Sequence, residues 1–172
     1  MISISCRAGP LLGALILLGA TSAVAQDESG IRVGTAAPVV TVNDLDGKPV
    51  DLGQWLGKKP VLVEFWATWC PNCEELLPRL REAKRLVGDR MEFLAVNVTV
   101  NQTPERVRRY LKDHEVPFHI LYDDAGTSTR AYQAPATSYV VIVDAGGKVV
   151  YTGVGGDQKF EPALRRAAGV ND

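Results

Sequence analysis

A short apolar run that leads directly into a Cys-x-x-Cys motif constrains this chain more than any other feature. Residues 61–66 read V-L-V-E-F-W, which predicts a strand buried on both faces of a sheet. After Cys70-Pro71-Asn72-Cys73, apolar residues recur at helical spacing until Gly88. The sequence therefore predicts a central strand that delivers two cysteines to the start of a helix.

The rest of the chain alternates strands and helices around this unit. Asp46-Gly47 predicts a tight β-hairpin before the central strand, and Thr103 followed by Pro104 predicts the start of a second helix. Because crossover helices give parallel pairing and a final hairpin gives an antiparallel edge, we expect one α/β domain with a mixed β-sheet flanked by helices. The predicted strands are 39–42, 50–52, 61–66, 91–98, 118–122, 139–143 and 149–152. The predicted helices are one that begins at the cysteine pair and ends before Gly88, one over 103–114, a short one within 124–132, and one over 160–168.

The first 25 residues have the pattern of a secretory signal peptide. Arg7 supplies a positive charge, residues 11–20 form a short apolar run, and Ala23-Val24-Ala25 is an A-x-A cleavage site. The run is about half of the roughly 20 residues that span a bilayer, which favours cleavage after Ala25 over an uncleaved membrane anchor. We predict a signal peptide at 1–25, a lead-in segment at 26–38 and a domain at 39–172, exported to the periplasm or another extracytoplasmic space.

Export would place the remaining cysteines in an oxidising compartment, and this bears on their function. The chain has three cysteines, and Cys6 leaves with the signal peptide, so Cys70 and Cys73 remain in an oxidising compartment. A disulfide between them closes too short a loop to stabilise a domain well, which favours redox chemistry over a structural bond. The N–H groups at a helix start stabilise a Cys70 thiolate, and Cys73 then resolves the mixed disulfide that this thiolate forms.

Glu64 interrupts the apolar strand, and two interpretations of it stay open. A carboxyl buried beneath the cysteines has a raised pKa and can exchange protons with Cys73. Alternatively, the carboxylate reaches solvent at the end of the strand. Glu74 and Glu75 fit solvated carboxylates in the first turn of the following helix.

The run V-L-V-E-F-W-A-T-W-C-P-N-C-E-E-L-L-P closely resembles the thioredoxin superfamily, and specifically the TlpA-like branch of exported disulfide reductases. The resemblance extends over residues 33–168. It implies a thioredoxin-like fold with an N-terminal β-hairpin at 39–52 and a central αβ insertion at 103–122.

The resemblance also implies roles for individual residues. Cys70 and Cys73 match the redox pair. Trp69 matches the tryptophan that packs beside that pair, and Glu64 matches a buried acid, which favours the proton-relay interpretation. The other residues expected to shape the site around the pair are Pro71, Asn72, Thr137 and Ser138.

The chain departs from the family at the cis-proline that faces the cysteines. Alignment of the final hairpin without gaps puts Ser138 at that position, preceded by Thr137. Pro135 lies three residues earlier and takes the position only if the loop is rearranged. Serine lacks the cis preference of proline and offers a hydroxyl to the site.

The partners follow from the resemblance as well. It implies protein disulfides as substrates, a membrane thiol-transfer protein as electron donor, and cytochrome c maturation or metalloprotein assembly as the setting. We expect a monomer without a cofactor or a bound metal. A disulfide-donating oxidase stays open, because Pro71-Asn72 does not decide the direction of exchange.

Other functional classes fit the sequence less well. A peroxiredoxin has proline and Ser/Thr where this chain has Val63 and Ala67. A copper-binding module of the same fold has wider cysteine spacing and a distant histidine, for which only His114 and His119 are available. A net charge of −1 argues against a nucleic-acid partner.

Overall fold

Seven strands form one mixed sheet with helices on both faces, as the sequence predicts. The computed structural model describes residues 30–170, so the predicted signal peptide and its cleavage site lie outside the described residues. The strands are β1 Thr41–Asp44, β2 Pro49–Asp51, β3 Val61–Trp66, β4 Glu92–Val98, β5 His119–Asp123, β6 Tyr139–Val143 and β7 Val149–Val154, and the helices are α1 Pro71–Val87, α2 Pro104–Asp113, α3 Thr127–Ala131 and α4 Glu161–Ala168.

The pairing places β3 near the middle of the sheet, whose strand order is β2-β1-β5-β4-β3-β6-β7. β3 pairs in parallel with β4 and antiparallel with β6. β5 pairs in parallel with β4, and the β1–β2 hairpin joins the sheet beyond it in antiparallel pairing. The predicted N-terminal hairpin and central αβ unit are therefore both present, with the final hairpin β6–β7 at the opposite edge.

Alternation along β3 explains its unbroken apolar sequence. Successive side chains of a strand point to opposite faces of the sheet. Val63 and Phe65 belong to a buried cluster on one face, with Tyr132 and Tyr139. Leu62 packs on the other face against residues of α1 and α4. Both faces of β3 are covered, so every position in it is buried.

Proline fixes the start of the two longest helices. Pro71 is the first residue of α1 and Pro104 the first residue of α2, where a missing N–H costs no helical hydrogen bond. The Thr103 hydroxyl accepts a hydrogen bond from the Arg106 N–H at 3.2 Å, which caps α2 as the sequence predicts. In α1 the capping atom is the sulfur of Cys70.

Residues 30–38 form no helix or named strand, yet they are attached to the final hairpin. The Gly34 N–H donates to the Val149 carbonyl oxygen at 2.8 Å, and the Ala37 N–H donates to that of Gly147 at 2.9 Å. The buried Ile31 N–H donates to the Tyr139 hydroxyl at 2.9 Å. Within the part of the chain that the structure describes, no helix is long and apolar enough to cross a membrane.

Candidate functional site

The end of β3 delivers the two cysteines to the first turn of α1. A turn over residues 67–69 links the strand to the helix, and in it the Cys70 N–H donates to the Ala67 carbonyl oxygen at 3.2 Å. Cys70 is the N-cap of α1, and its Sγ accepts a hydrogen bond from the Cys73 N–H at 3.1 Å. The two sulfurs form a disulfide, and both residues are buried.

The residues between the cysteines complete the helix start. Pro71 and Asn72 are exposed and lie in the first turn of α1. A helix N-terminus carries unpaired N–H groups and the positive end of the helix dipole. After reduction of the disulfide, this environment favours a thiolate on Cys70 over one on an ordinary cysteine.

Trp69 lies beside the disulfide and is held by a neighbouring turn. Its side chain is 46% exposed, and its indole Nε1 donates to the Val100 carbonyl oxygen at 2.8 Å. Val100 follows β4 and is itself exposed. The contact joins the turn after β3 to the turn after β4 and fixes the indole at the surface next to Cys70.

A buried amide side chain, that of Gln102, supports the same turn. The Gln102 Oε1 accepts hydrogen bonds from the Thr68 N–H at 3.1 Å and from Asn97 Nδ2 at 3.3 Å. Asn97 is adjacent to Trp66 across the β3–β4 ladder and fully buried. No local sequence pattern marks Gln102 as a support of this turn, because Thr68 lies more than thirty residues before it.

Glu64 is buried on the face of the sheet that lies beneath the cysteines, with 4% of its surface exposed. Alternation puts its side chain on the same face as that of Trp66, and Ala95 of β4 lies next to it. Trp66 and Ala95 belong to the buried cluster that contains Cys70 and Cys73. Burial raises the pKa of Glu64 from its ordinary 4.5 to about 8, close to the value of about 8.5 for a free thiol.

Ser138 lies immediately before β6, level with the end of β3. Tyr139 pairs with Phe65, so Ser138 is at the end of the sheet from which the chain continues to Cys70. Ser138 is fully buried and has a left-handed backbone, with φ of 61°. Its hydroxyl has no hydrogen-bond partner within the described part of the chain.

The other two residues proposed from the resemblance lie in the same loop. Thr137 is half-buried and Pro135 is exposed. Among residues 30–170 no peptide bond is cis.

Comparison with known proteins places the chain in a family. The Redoxin family matches residues 32–167. The chain belongs to the Redoxin family. It is 30% identical to the thiol-disulfide oxidoreductase ResA of Bacillus subtilis, over 84% of this chain and 80% of that protein. It is also 32% identical to the thioredoxin-like protein YneN of the same species, over 78% of each chain.

A solved structure supports the fold of this Redoxin family member. The thioredoxin domain of a thiol-disulfide oxidoreductase from Bacteroides vulgatus superimposes with a TM-score of 0.69 at 23% identity, covering 80% of this chain and 99% of that domain. The expected thioredoxin-like fold and the resemblance to TlpA-like proteins are confirmed. With its Cys70–Cys73 disulfide, this Redoxin family member is a thiol–disulfide oxidoreductase.

The two histidines available for the distant ligand of a copper-binding module lie in other contacts. His114 stacks on Tyr110 with ring centroids 3.8 Å apart. His119 begins β5, and its Nε2 lies 3.2 Å from a carboxylate oxygen of Glu92. Among the residues that the structure describes, no three His, Cys, Asp or Glu side chains are grouped so that they could hold a metal ion.

The buried acid predicts an unusual pH dependence of stability. The folded protein keeps the Glu64 proton up to about pH 8, whereas the unfolded chain releases it near its ordinary pKa of 4.5. The free energy of unfolding therefore falls as pH rises between these values. Because one pKa unit is worth about 1.4 kcal/mol, Glu64→Gln should gain on the order of a few kcal/mol over wild type between about pH 5 and about pH 8.

Urea denaturation of the oxidised proteins at several pH values measures this difference. Oxidised protein is used so that cysteine titration does not contribute. Glu75→Gln is the matched control, because Glu75 is an exposed carboxylate in the same region. A difference between wild type and Glu64→Gln that stays constant with pH would contradict the raised pKa.

Proposed function

We propose that this chain is an exported reductase of protein disulfides that acts through Cys70 and Cys73. The observation that carries the proposal is the position of the disulfide at the start of α1, above a buried carboxyl group on β3. This arrangement supplies a nucleophile, a resolving thiol and a group for proton exchange within one unit of the fold.

The reaction transfers two electrons from the reduced Cys70–Cys73 pair to a substrate disulfide. The Cys70 thiolate attacks one substrate sulfur, forms a mixed disulfide and displaces the other sulfur as a thiolate, which takes a proton from water. The Cys73 thiol loses its proton and attacks Cys70 Sγ, which releases the second substrate thiol. The products are a substrate dithiol and the Cys70–Cys73 disulfide.

Glu64 is suited by its location and its pKa to accept the proton that Cys73 must lose. Its carboxylate form accepts the proton as Cys73 attacks, and it returns the proton when the second substrate thiol leaves. General acid–base catalysis works best when the pKa of the group lies near the operating pH. Burial gives Glu64 such a value.

Export and the partners complete the proposal. Arg7, the apolar run at 11–20 and the A-x-A site ending at Ala25 support a cleaved signal peptide at 1–25, with a lead-in at 26–38 and the domain at 39–172. In the periplasm or another extracytoplasmic space a reductase needs an electron supply from across the membrane. We propose a membrane thiol-transfer protein as donor, a monomeric enzyme, and cytochrome c maturation or metalloprotein assembly as the setting.

Single cysteine variants test the assignment of nucleophile and resolving thiol. Cys70→Ser should reduce the turnover of insulin disulfides to the background rate, because no thiolate attacks the substrate. Cys73→Ser should accumulate a mixed disulfide with the substrate, visible by non-reducing electrophoresis, because the second step is blocked. Full activity of Cys70→Ser would show that the nucleophile lies elsewhere.

Glu64→Gln tests the proton relay. Resolution of the mixed disulfide should slow by about 100-fold, the lower range for loss of a general base, while the attack by Cys70 is unchanged. In wild type the resolution rate should rise with pH through about 8, the pKa of Glu64, and the variant should lack this inflection. Stopped-flow measurement with a pre-formed mixed disulfide gives the rate, with Glu75→Gln as control. An unchanged rate would exclude the relay.

The reduction potential of the Cys70–Cys73 pair decides the direction of exchange. We expect a value near that of thioredoxin, about −270 mV, from equilibration against defined glutathione or dithiothreitol buffers. A value approaching about −120 mV would identify an oxidase that donates disulfides. Absence of any dithiol–disulfide equilibrium would contradict both directions.

A further inference from the structure

The loop of residues 134–138 leads into β6 at the same end of the sheet as the turn that carries Cys70. Pro135 and Ala136 are exposed, and Ser138 lies at the end of the sheet from which the chain continues to Cys70. The φ of 61° at Ser138 belongs to the left-handed region, which costs a non-glycine residue free energy and persists only where the surroundings enforce it. The shape of this loop therefore depends on what holds Ser138.

Gln158, in the connection between β7 and α4, holds Ser138 in place through hydrogen bonds. Its Nε2 donates to the Ser138 carbonyl oxygen at 2.9 Å and to the Gly155 carbonyl oxygen at 2.7 Å. Its Oε1 accepts a hydrogen bond from the Tyr151 hydroxyl at 3.2 Å. The Gly155 N–H adds a second hydrogen bond to the Ser138 carbonyl oxygen, at 3.2 Å. Gln158 is 7% exposed, so these bonds form out of contact with bulk water.

Arg79 connects the same segment to the helix that carries the cysteines. Its guanidinium donates to the Gly156 carbonyl oxygen at 2.8 Å and to that of Gln158 at 2.5 Å. It also forms an ion pair with Glu161, at the start of α4. α1 and the 134–138 loop are thus both attached to residues 155–158. Gly155 contacts the loop through its backbone N–H, and Gln158 contacts it through its side chain.

We propose that Gln158 is a positioning residue that fixes the 134–138 loop as a docking surface for the polypeptide around a substrate disulfide. The inference rests on the proposed reductase function. The hydrogen bonds of the Gln158 side chain within the described residues go to Tyr151, Ser138 and Gly155. It therefore acts on substrate docking and leaves the chemistry of the sulfurs unchanged. A protein disulfide needs the loop, whereas a small disulfide reaches Cys70 without it.

Kinetics with two substrates test this role. Gln158→Leu should raise the KM for insulin by about tenfold, the effect of losing one to two buried hydrogen bonds, with kcat within about twofold of wild type. The rate with glutathione disulfide and the midpoint potential should be unchanged. Tyr151→Phe removes the hydroxyl that orients the Gln158 amide, and it should shift the KM in the same direction by less.

Gln54→Leu is the control, because Gln54 lies after β2, near the opposite edge of the sheet. Circular dichroism establishes whether each variant is folded. If Gln158→Leu is not folded, the KM of Tyr151→Phe for insulin decides the question. Equal losses with both substrates, a changed potential, or an unchanged KM for insulin would overturn the inference. A wild type that reduces glutathione disulfide but not insulin would instead overturn the proposed function.

Discussion

The burial of β3 on both faces is the constraint on which the rest of the structure depends. Val63 and Phe65 fix the strand against one layer, and Leu62 fixes it against the other. Removal of this apolar surface from water is the dominant favourable term in folding. Because the strand has no freedom to shift, its end is fixed too, and that end determines where Cys70 and the first turn of α1 lie.

The functional site is built where several chain segments meet at one end of the sheet. The parallel strands β3 and β4 end there, and the antiparallel β6 begins there. Each connecting turn is joined to another by a side chain: Trp69 to the turn after β4, Gln102 to the turn after β3, and Gln158 to the loop before β6. A site on loops keeps a defined geometry only when such second contacts hold the loops in place.

Local patterns in the sequence were sufficient for the elements and for the redox pair. The apolar run of β3, the helical spacing of α1 and the Thr103 cap each depend on neighbours in sequence. The face of the sheet on which Glu64 lies became known only from the pairing of β3, because strand alternation alone does not tell which face α1 covers. Gln158 was missed because its contact with Ser138 spans twenty residues, and no local sequence pattern indicates which partner a buried amide has in the folded chain. The left-handed backbone of Ser138 has the same origin.

Glu64 shows how chemistry and robustness compete within a single strand. A carboxyl group in the middle of a sheet is a poor component for folding, because burying a charge is costly and the group stays neutral instead. An apolar residue at this position would make a better-packed core. Selection of this protein for heat resistance alone would therefore favour replacement of Glu64 by an apolar residue, whereas the proposed proton relay would favour its retention.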